Sequence, residues 1–235
     1  MKCVQKSMMA LCTAVMLMSS LTFAQKASQA ELPSSYDFDY IYTLKMTHKK
    51  GDIEFDYYLK KDAAYFGFDT AKMSGSKSDV GMFMVMDNQL GVNAMFMDMM
   101  GKKVVQKSKL KLSDFTDDSQ NDNFEFSKID KKTIMGYECQ GFVGENDKSK
   151  VTMYITDQAP VSFVQIWGTN DKLPKGFNPE WLETYSENGL MMEMIYVDKK
   201  KSKNNTTMIC TNLESTSKSI DTSEYGSMLG AFGGN

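Results

Sequence analysis

The 235-residue chain carries 21 methionines and one histidine, and its 27 basic residues, every one a lysine, stand against 30 acidic residues for a formal charge of −3. That mild acidity excludes a nucleic-acid partner, which calls for a basic stripe. Without arginine there is no bidentate clamp for phosphate or carboxylate, so nucleotide and phosphosugar chemistry lose their usual anchor.

Lys2 and Lys6 open a short basic start, an apolar run follows over residues 8–23, and Thr22-Phe23-Ala24 places a small residue before Gln25. This pattern reads as a secretory signal peptide over residues 1–24, with Ala30 as an alternative cleavage site. The run is shorter than the roughly 20 residues a membrane-spanning helix needs. Cys12 follows Leu11 where a lipid-attachment motif wants a small residue, and Cys3 precedes the run. The expectation is an exported protein, periplasmic or secreted, with no transmembrane segment in its mature part. Cleavage removes Met1, Met8, Met9, Met16 and Met18, so the methionine enrichment belongs to the mature chain.

After a linker over 25–35, residues 36–217 read as one β-rich domain. Residues 36–47 alternate apolar and polar, Lys49-Lys50-Gly51-Asp52 turns the chain, and 53–60 returns as a hairpin partner. Residues 63–68 form a third strand and 70–79 a polar loop. Then come Met82-Phe83-Met84-Val85-Met86 and Met95-Phe96-Met97-Asp98-Met99, with methionine at every second position. Strand side chains at i, i+2 and i+4 share a face. An even-length loop between the two runs would set even positions opposite odd ones, gathering Met82, Met84, Met86, Met95, Met97 and Met99 on one face. Thioethers are flexible and polarizable, which suits an adaptable apolar site.

Residues 102–112 continue the sheet and 114–123 form an acidic loop. From Lys132 the strand pattern resumes over 137–143, 150–156, 161–167, 190–197 and 206–213. One helix interrupts it at 178–188, with Asn178 as N-cap, Pro179 at the first helical position and Gly189 closing it; Trp181, Leu182 and Tyr185 fall on one face. A second short helix starts at Asp221, with Glu224 three residues on. Gly226, Gly230, Gly233 and Gly234 then predict a flexible tail over 218–235.

The segment 133–142, Thr-Ile-Met-Gly-Tyr-Glu-Cys-Gln-Gly-Phe, followed by Val151-Thr152-Met153-Tyr154-Ile155-Thr156 and Trp167, resembles the core signature of a bacterial envelope family, domain of unknown function 4412. Met84-Val85-Met86-Asp87 and Met95 to Met97 resemble that family's strand ending in Asp and its second methionine-bearing strand. The family is similar in architecture to the LolA and LolB lipoprotein-localisation factors. The resemblance implies a curved antiparallel sheet, a half-open barrel with one or two short helices on its concave side, and suggests apolar ligand binding without catalytic residues.

Catalysis finds little support in the residues themselves. One histidine, His48, sits at a hairpin end, so neither a Ser-His-Asp set nor a Cys-His pair assembles with confidence. Two mature cysteines, Cys139 and Cys210, and one histidine make no zinc spacing, and Asp114, Asp117, Asp118 and Asp122 lack the glycine and final glutamate of a calcium loop. In a flat meander several strands would separate the two cysteines, which predicts free, buried thiols. The expected protein is therefore a non-enzymatic carrier of a lipid or other apolar small molecule, without cofactor or metal, its ligand lined by the six methionines with Trp167 and Trp181. Two alternatives use the same face: Cu(I) or Ag(I) held by thioethers, and a structural envelope component that docks a protein partner.

Overall fold

The computed structural model describes residues 30–70, 81–99, 101–110, 125–163, 185 and 188–227. The expected signal peptide lies outside them. In chain order the described strands are β1 (Ser35–Asp37), β2 (Tyr40–His48), β3 (Gly51–Leu59), β4 (Tyr65–Asp69), β5 (Met82–Asp87), β6 (Val92–Met99), β7 (Lys102–Lys109), β8 (Glu125–Ile134), β9 (Tyr137–Glu145), β10 (Ser149–Thr156), β11 (Leu190–Asp198), β12 (Thr206–Ser215), β13 (Ser219–Asp221) and β14 (Gly226–Ser227).

Two antiparallel meanders make one 12-stranded sheet in the order β14-β7-β6-β5-β4-β3-β2-β12-β11-β10-β9-β8. The first meander runs from β2 to β7 and the second from β8 to β12. Their union is the long pairing of β2 with β12, from Thr206 opposite His48 to Ser215 opposite Tyr40. Among the described strands, only the short β14 runs parallel to its neighbour, β7.

Register shifts between Ile129 and Lys132, Tyr154 and Ile155, and Cys210 and Asn212 bend the second half of the sheet. Bulges of this kind raise local twist and curvature. The bend carries contacts across strands that are not neighbours: the Tyr42 hydroxyl of β2 donates to the Met191 carbonyl of β11, past β12. The β8–β9 turn likewise reaches β12, where the Cys210 thiol donates to Met135 Sδ at 3.5 Å. Met135 (φ 50°) and Gly136 (φ 86°) form that tight turn, the two left-handed positions that suit the twist of a hairpin.

Apolar side chains bury on both sides of the first meander. One cluster gathers Tyr42, Leu44, Leu59, Phe66 and Met86 with Leu190, Met192 and both cysteines. The other packs Val85, Ala94 and Phe96 beneath Tyr36, Phe38 and Ile220. The second cover is a separate two-stranded sheet, β1 with β13, placing Tyr36 opposite Ile220. Gly67 makes this layer fit, since a Cβ there would sit 2.5 Å from Phe83 Cε1 and 2.9 Å from Phe38 Cζ.

Several expectations need correction. The alternation over 36–47 is split into β1 and β2, because Asp39 leaves the ladder to accept from Lys60 Nζ at 2.9 Å and from the Lys61 amide at 3.1 Å. The second meander begins at Glu125 rather than near Lys132: β8 is a largely exposed edge strand whose charges masked its periodicity. Val161 and Phe163, expected in a strand, lie outside any strand and are buried as a plug. The expected helix at Asp221 is one 3-10 turn, Thr222–Glu224, with Asp221 accepting from the Ser223 amide as its cap. That turn lies between β13 and β14, so Ser219–Asp221 and Gly226–Ser227 of the expected tail belong to the sheets. Of the expected helix at 178–188, Tyr185 and Asn188 fall within the described residues and the rest lie outside them; the Tyr185 carbonyl accepts from the Gly189 amide at 2.9 Å and its ring lies 5.5 Å from Phe142. Both cysteines are free and buried.

Candidate functional site

The methionine hairpin closes through the four residues 88–91, and Gly91 supplies the positive φ of 63° the return requires. The Asp87 carboxylate stabilises the turn by accepting from the Leu90 amide at 2.9 Å. With that even loop, Met82 lies opposite Met97 and Met84 opposite Met95, while Met86 faces Asn93. Directly opposed side chains share a face, and Met99 has the same parity as Met95 and Met97.

The same face continues across the sheet as rows of partners. Tyr42, Tyr57, Phe68, Met84 and Met95 follow one another from β2 to β6. Beside them run Tyr40, Leu59, Phe66, Met86 and Asn93, and Met97 continues to Val104 of β7. One end of the face is aromatic and the other thioether.

The aromatic end is filled from above. Phe163 sets its ring 4.9 Å from Tyr57, 5.2 Å from Phe66 and 5.6 Å from Tyr42, held by its amide donating to the Gly189 carbonyl at 3.0 Å. Burial pushes the hydroxyls of Tyr42 and Tyr57 above their ordinary pKa, as expected of phenols in an apolar layer. Toward the thioether end, Met86 and Met97 are each 6% exposed, whereas Met82, Met84, Met95 and Met99 are half-buried. The reverse face differs: Val85 and Ala94 are fully buried there. Asn93 adds a polar atom, its Oδ1 being buried with no hydrogen-bond partner among the described residues.

Trp167 and Trp181 lie outside the described residues; among the described ones, Tyr57, Phe66, Phe68 and Phe163 adjoin the methionine face. Reading the sequence alone missed these aromatics, although Tyr65-Phe66-Gly67-Phe68 carries the signal: positions 66 and 68 continue the methionine rows by parity. His48 caps its own turn, Nδ1 accepting from the Lys50 amide at 3.2 Å. Among the described residues no three His, Cys, Asp or Glu side chains converge as a metal site. None of the described helices is long and apolar enough to cross a membrane.

Comparison places the chain in a family: it belongs to that described as "Domain of unknown function (DUF4412)", whose model matches residues 38–225. No curated protein matches it. Among solved structures it is similar to an uncharacterized conserved protein from Thermus thermophilus, at 10% identity and a TM-score of 0.41 over 79% of this chain and 83% of that one. It is also similar to the LolA superfamily protein NE2245 from Nitrosomonas europaea, at 9% identity and a TM-score of 0.29 over 84% and 93% of the two chains. A third likeness is to PNGF-II, at 11% identity and a TM-score of 0.41 over 80% of this chain; the chain spans 30% of that protein's length.

Proposed function

We propose that this is an exported, non-enzymatic carrier that holds a lipid or other acyl chain against the face formed by Met82, Met84, Met86, Met95, Met97 and Met99. The observation that carries the reading is the contrast between the two sides of one hairpin. Its reverse is sealed by Tyr36, Phe38 and Ile220, while four methionines on the obverse remain half-buried beside Phe66 and Phe68. Unbranched thioethers adapt to a chain of variable shape better than branched side chains do. The Asn93 carbonyl offers a hydroxyl or amide of the ligand an acceptor in an otherwise apolar lining. The leader over residues 1–24 supports delivery to the envelope.

Native mass spectrometry of the protein purified from its own envelope tests this directly. A retained lipid adduct is expected. A bare chain that also fails to bind a fluorescent fatty acid would overturn the proposal.

A further inference from the structure

One end of the sheet carries a charge opposite to that of the chain. Strand pairing sets His48 opposite both Gly51 and Thr206, so the β2–β3 turn and the β11–β12 turn stand side by side. Residues 48–52 and 198–205 hold six lysines against two aspartates, in a chain whose formal charge is −3. Lys199 reaches Glu145 of the neighbouring β9–β10 turn at 2.8 Å, and Lys45 takes Asp52 at 2.7 Å. Lys49, Lys50, Lys200, Lys201 and Lys203 are exposed, and their ammonium groups pair with no acid among the described residues.

Both turns are held in shape. The Asp198 carboxylate accepts from the Lys200 amide at 2.9 Å, the Lys201 amide at 2.8 Å and Asn204 Nδ2 at 2.7 Å. The Lys199 amide donates to the Lys148 carbonyl at 2.9 Å, and His48 Nδ1 accepts from the Lys50 amide. Lysine is a hydrated point charge and not a fork shaped to one phosphate, so five of them on one edge suit a surface of many diffuse anionic charges.

Beside the lysines the end is apolar. Ile53 is 41% exposed and lies opposite Met46. From there Met46, Met208, Met194 and Met153 stand each opposite the next across β2, β12, β11 and β10, all half-buried. Met208 and Met194 pack against the same core cluster as Met84.

We propose that this end of the sheet docks on an anionic lipid bilayer, with the five lysines at the headgroup phosphates and Ile53 in the interface. Each lysine near such a surface strengthens binding about fivefold, and buried apolar area adds to that attraction. Docking stands without the carrier reading; only passage of an acyl chain from the bilayer along the methionine row rests on it.

The test is co-sedimentation of the protein purified from its own envelope with two kinds of vesicle, phosphatidylcholine alone and phosphatidylcholine mixed with phosphatidylglycerol. Binding is expected to the mixed vesicles only. It should fall as salt rises from about 0.15 M to about 1 M, where the screening length shrinks from about 8 Å to about 3 Å. Lys200→Gln with Lys201→Gln keeps the backbone donors to Asp198 and should weaken binding about 25-fold. Lys61→Gln with Lys109→Gln removes the same charge at the opposite end of the sheet and should leave binding nearly unchanged. Ile53→Ser should weaken it about threefold or more. Absence of binding to mixed vesicles, equal binding to phosphatidylcholine alone, or equal losses in the two lysine pairs would overturn docking. So would Ile53→Ser binding like its parent while soluble polyphosphate displaces both, which would assign the lysines to a soluble polyanion. Fluorescent fatty-acid uptake without vesicles reports on the carrier reading separately, and Lys200→Gln with Lys201→Gln should leave it unchanged.

Discussion

The Tyr36 hydroxyl donates to the Asp87 carboxylate at 3.0 Å across 51 residues of chain, tying the covering strand β1 to the turn of the methionine hairpin. Asp87 is 4% exposed and Tyr36 fully buried. Burial and the adjoining carboxylate together push the Tyr36 pKa far above its ordinary 10.0. Tyr36→Phe keeps the ring, which packs edge-on 4.9 Å from Tyr65, and removes one partner of a buried carboxylate. A loss of about 1 to 3 kcal/mol is expected in urea unfolding. Asp87 retains the Leu90 amide, so the hairpin register should survive, and near-ultraviolet dichroism of the double mutant Tyr36→Phe, Asp87→Asn should return toward that of the parent.

Alkaline pH should weaken the fold through groups that resist ionisation when buried. Burial pushes Cys139 and Cys210 from an ordinary 9.0 up to about 11, and raises Tyr36 and Tyr42 from 10.0. A folded-state pKa above the unfolded one means the unfolded chain gives up its proton first as pH rises. The stability is therefore fully present below about pH 9 and is lost as pH climbs through about 11. Melting temperature against pH should be flat near neutrality and fall through that window, and Cys210→Ala should flatten part of the fall. An unchanged slope in that variant would contradict buried, protonated thiols.

What the sequence disclosed follows from which forces act locally. The methionine register was legible because period-two alternation and an even loop determine facing pairs with no tertiary information. Edge strand β8 was not, since an exposed ladder needs no apolar alternation to be held by its neighbour β9. Residues 161–163 show the converse. The ring of Phe163 answers to those of Tyr42, Tyr57 and Phe66, and burial satisfies Val161 and Phe163 without a ladder. Nor does local pattern report the pairing of Tyr36 with Ile220 or of the Met135 turn with Cys210, because both depend on how a long sheet folds back.

Phe163 distinguishes a structural plug from a ligand-displaced one. Its ring is 5% exposed and touches three aromatic partners, so Phe163→Ala should cost about 3 to 5 kcal/mol if the plug is fixed core. A displaceable plug gives the opposite pattern: little change in melting temperature and tighter uptake of a fluorescent fatty acid. Both quantities are measured on the same preparation, and a variant that loses stability without altered uptake assigns Phe163 to the core.

The methionine face itself is tested by a substitution that spares shape and removes sulfur. Met84→Leu with Met97→Leu nearly conserves volume and apolarity at two positions in adjoining rows, one half-buried and one 6% exposed. Such swaps usually cost less than about 1.5 kcal/mol each, so fatty-acid affinity should fall by no more than about tenfold per site. Met84→Asp is the counterpart: a carboxylate between Phe68 and Met95 would have to be desolvated by any acyl chain lying over it, and uptake should vanish while the strand pairing persists. Titration of the three proteins with one fluorescent fatty acid ranks them. If Met84→Asp binds as well as its parent, the acyl chain does not lie on this face.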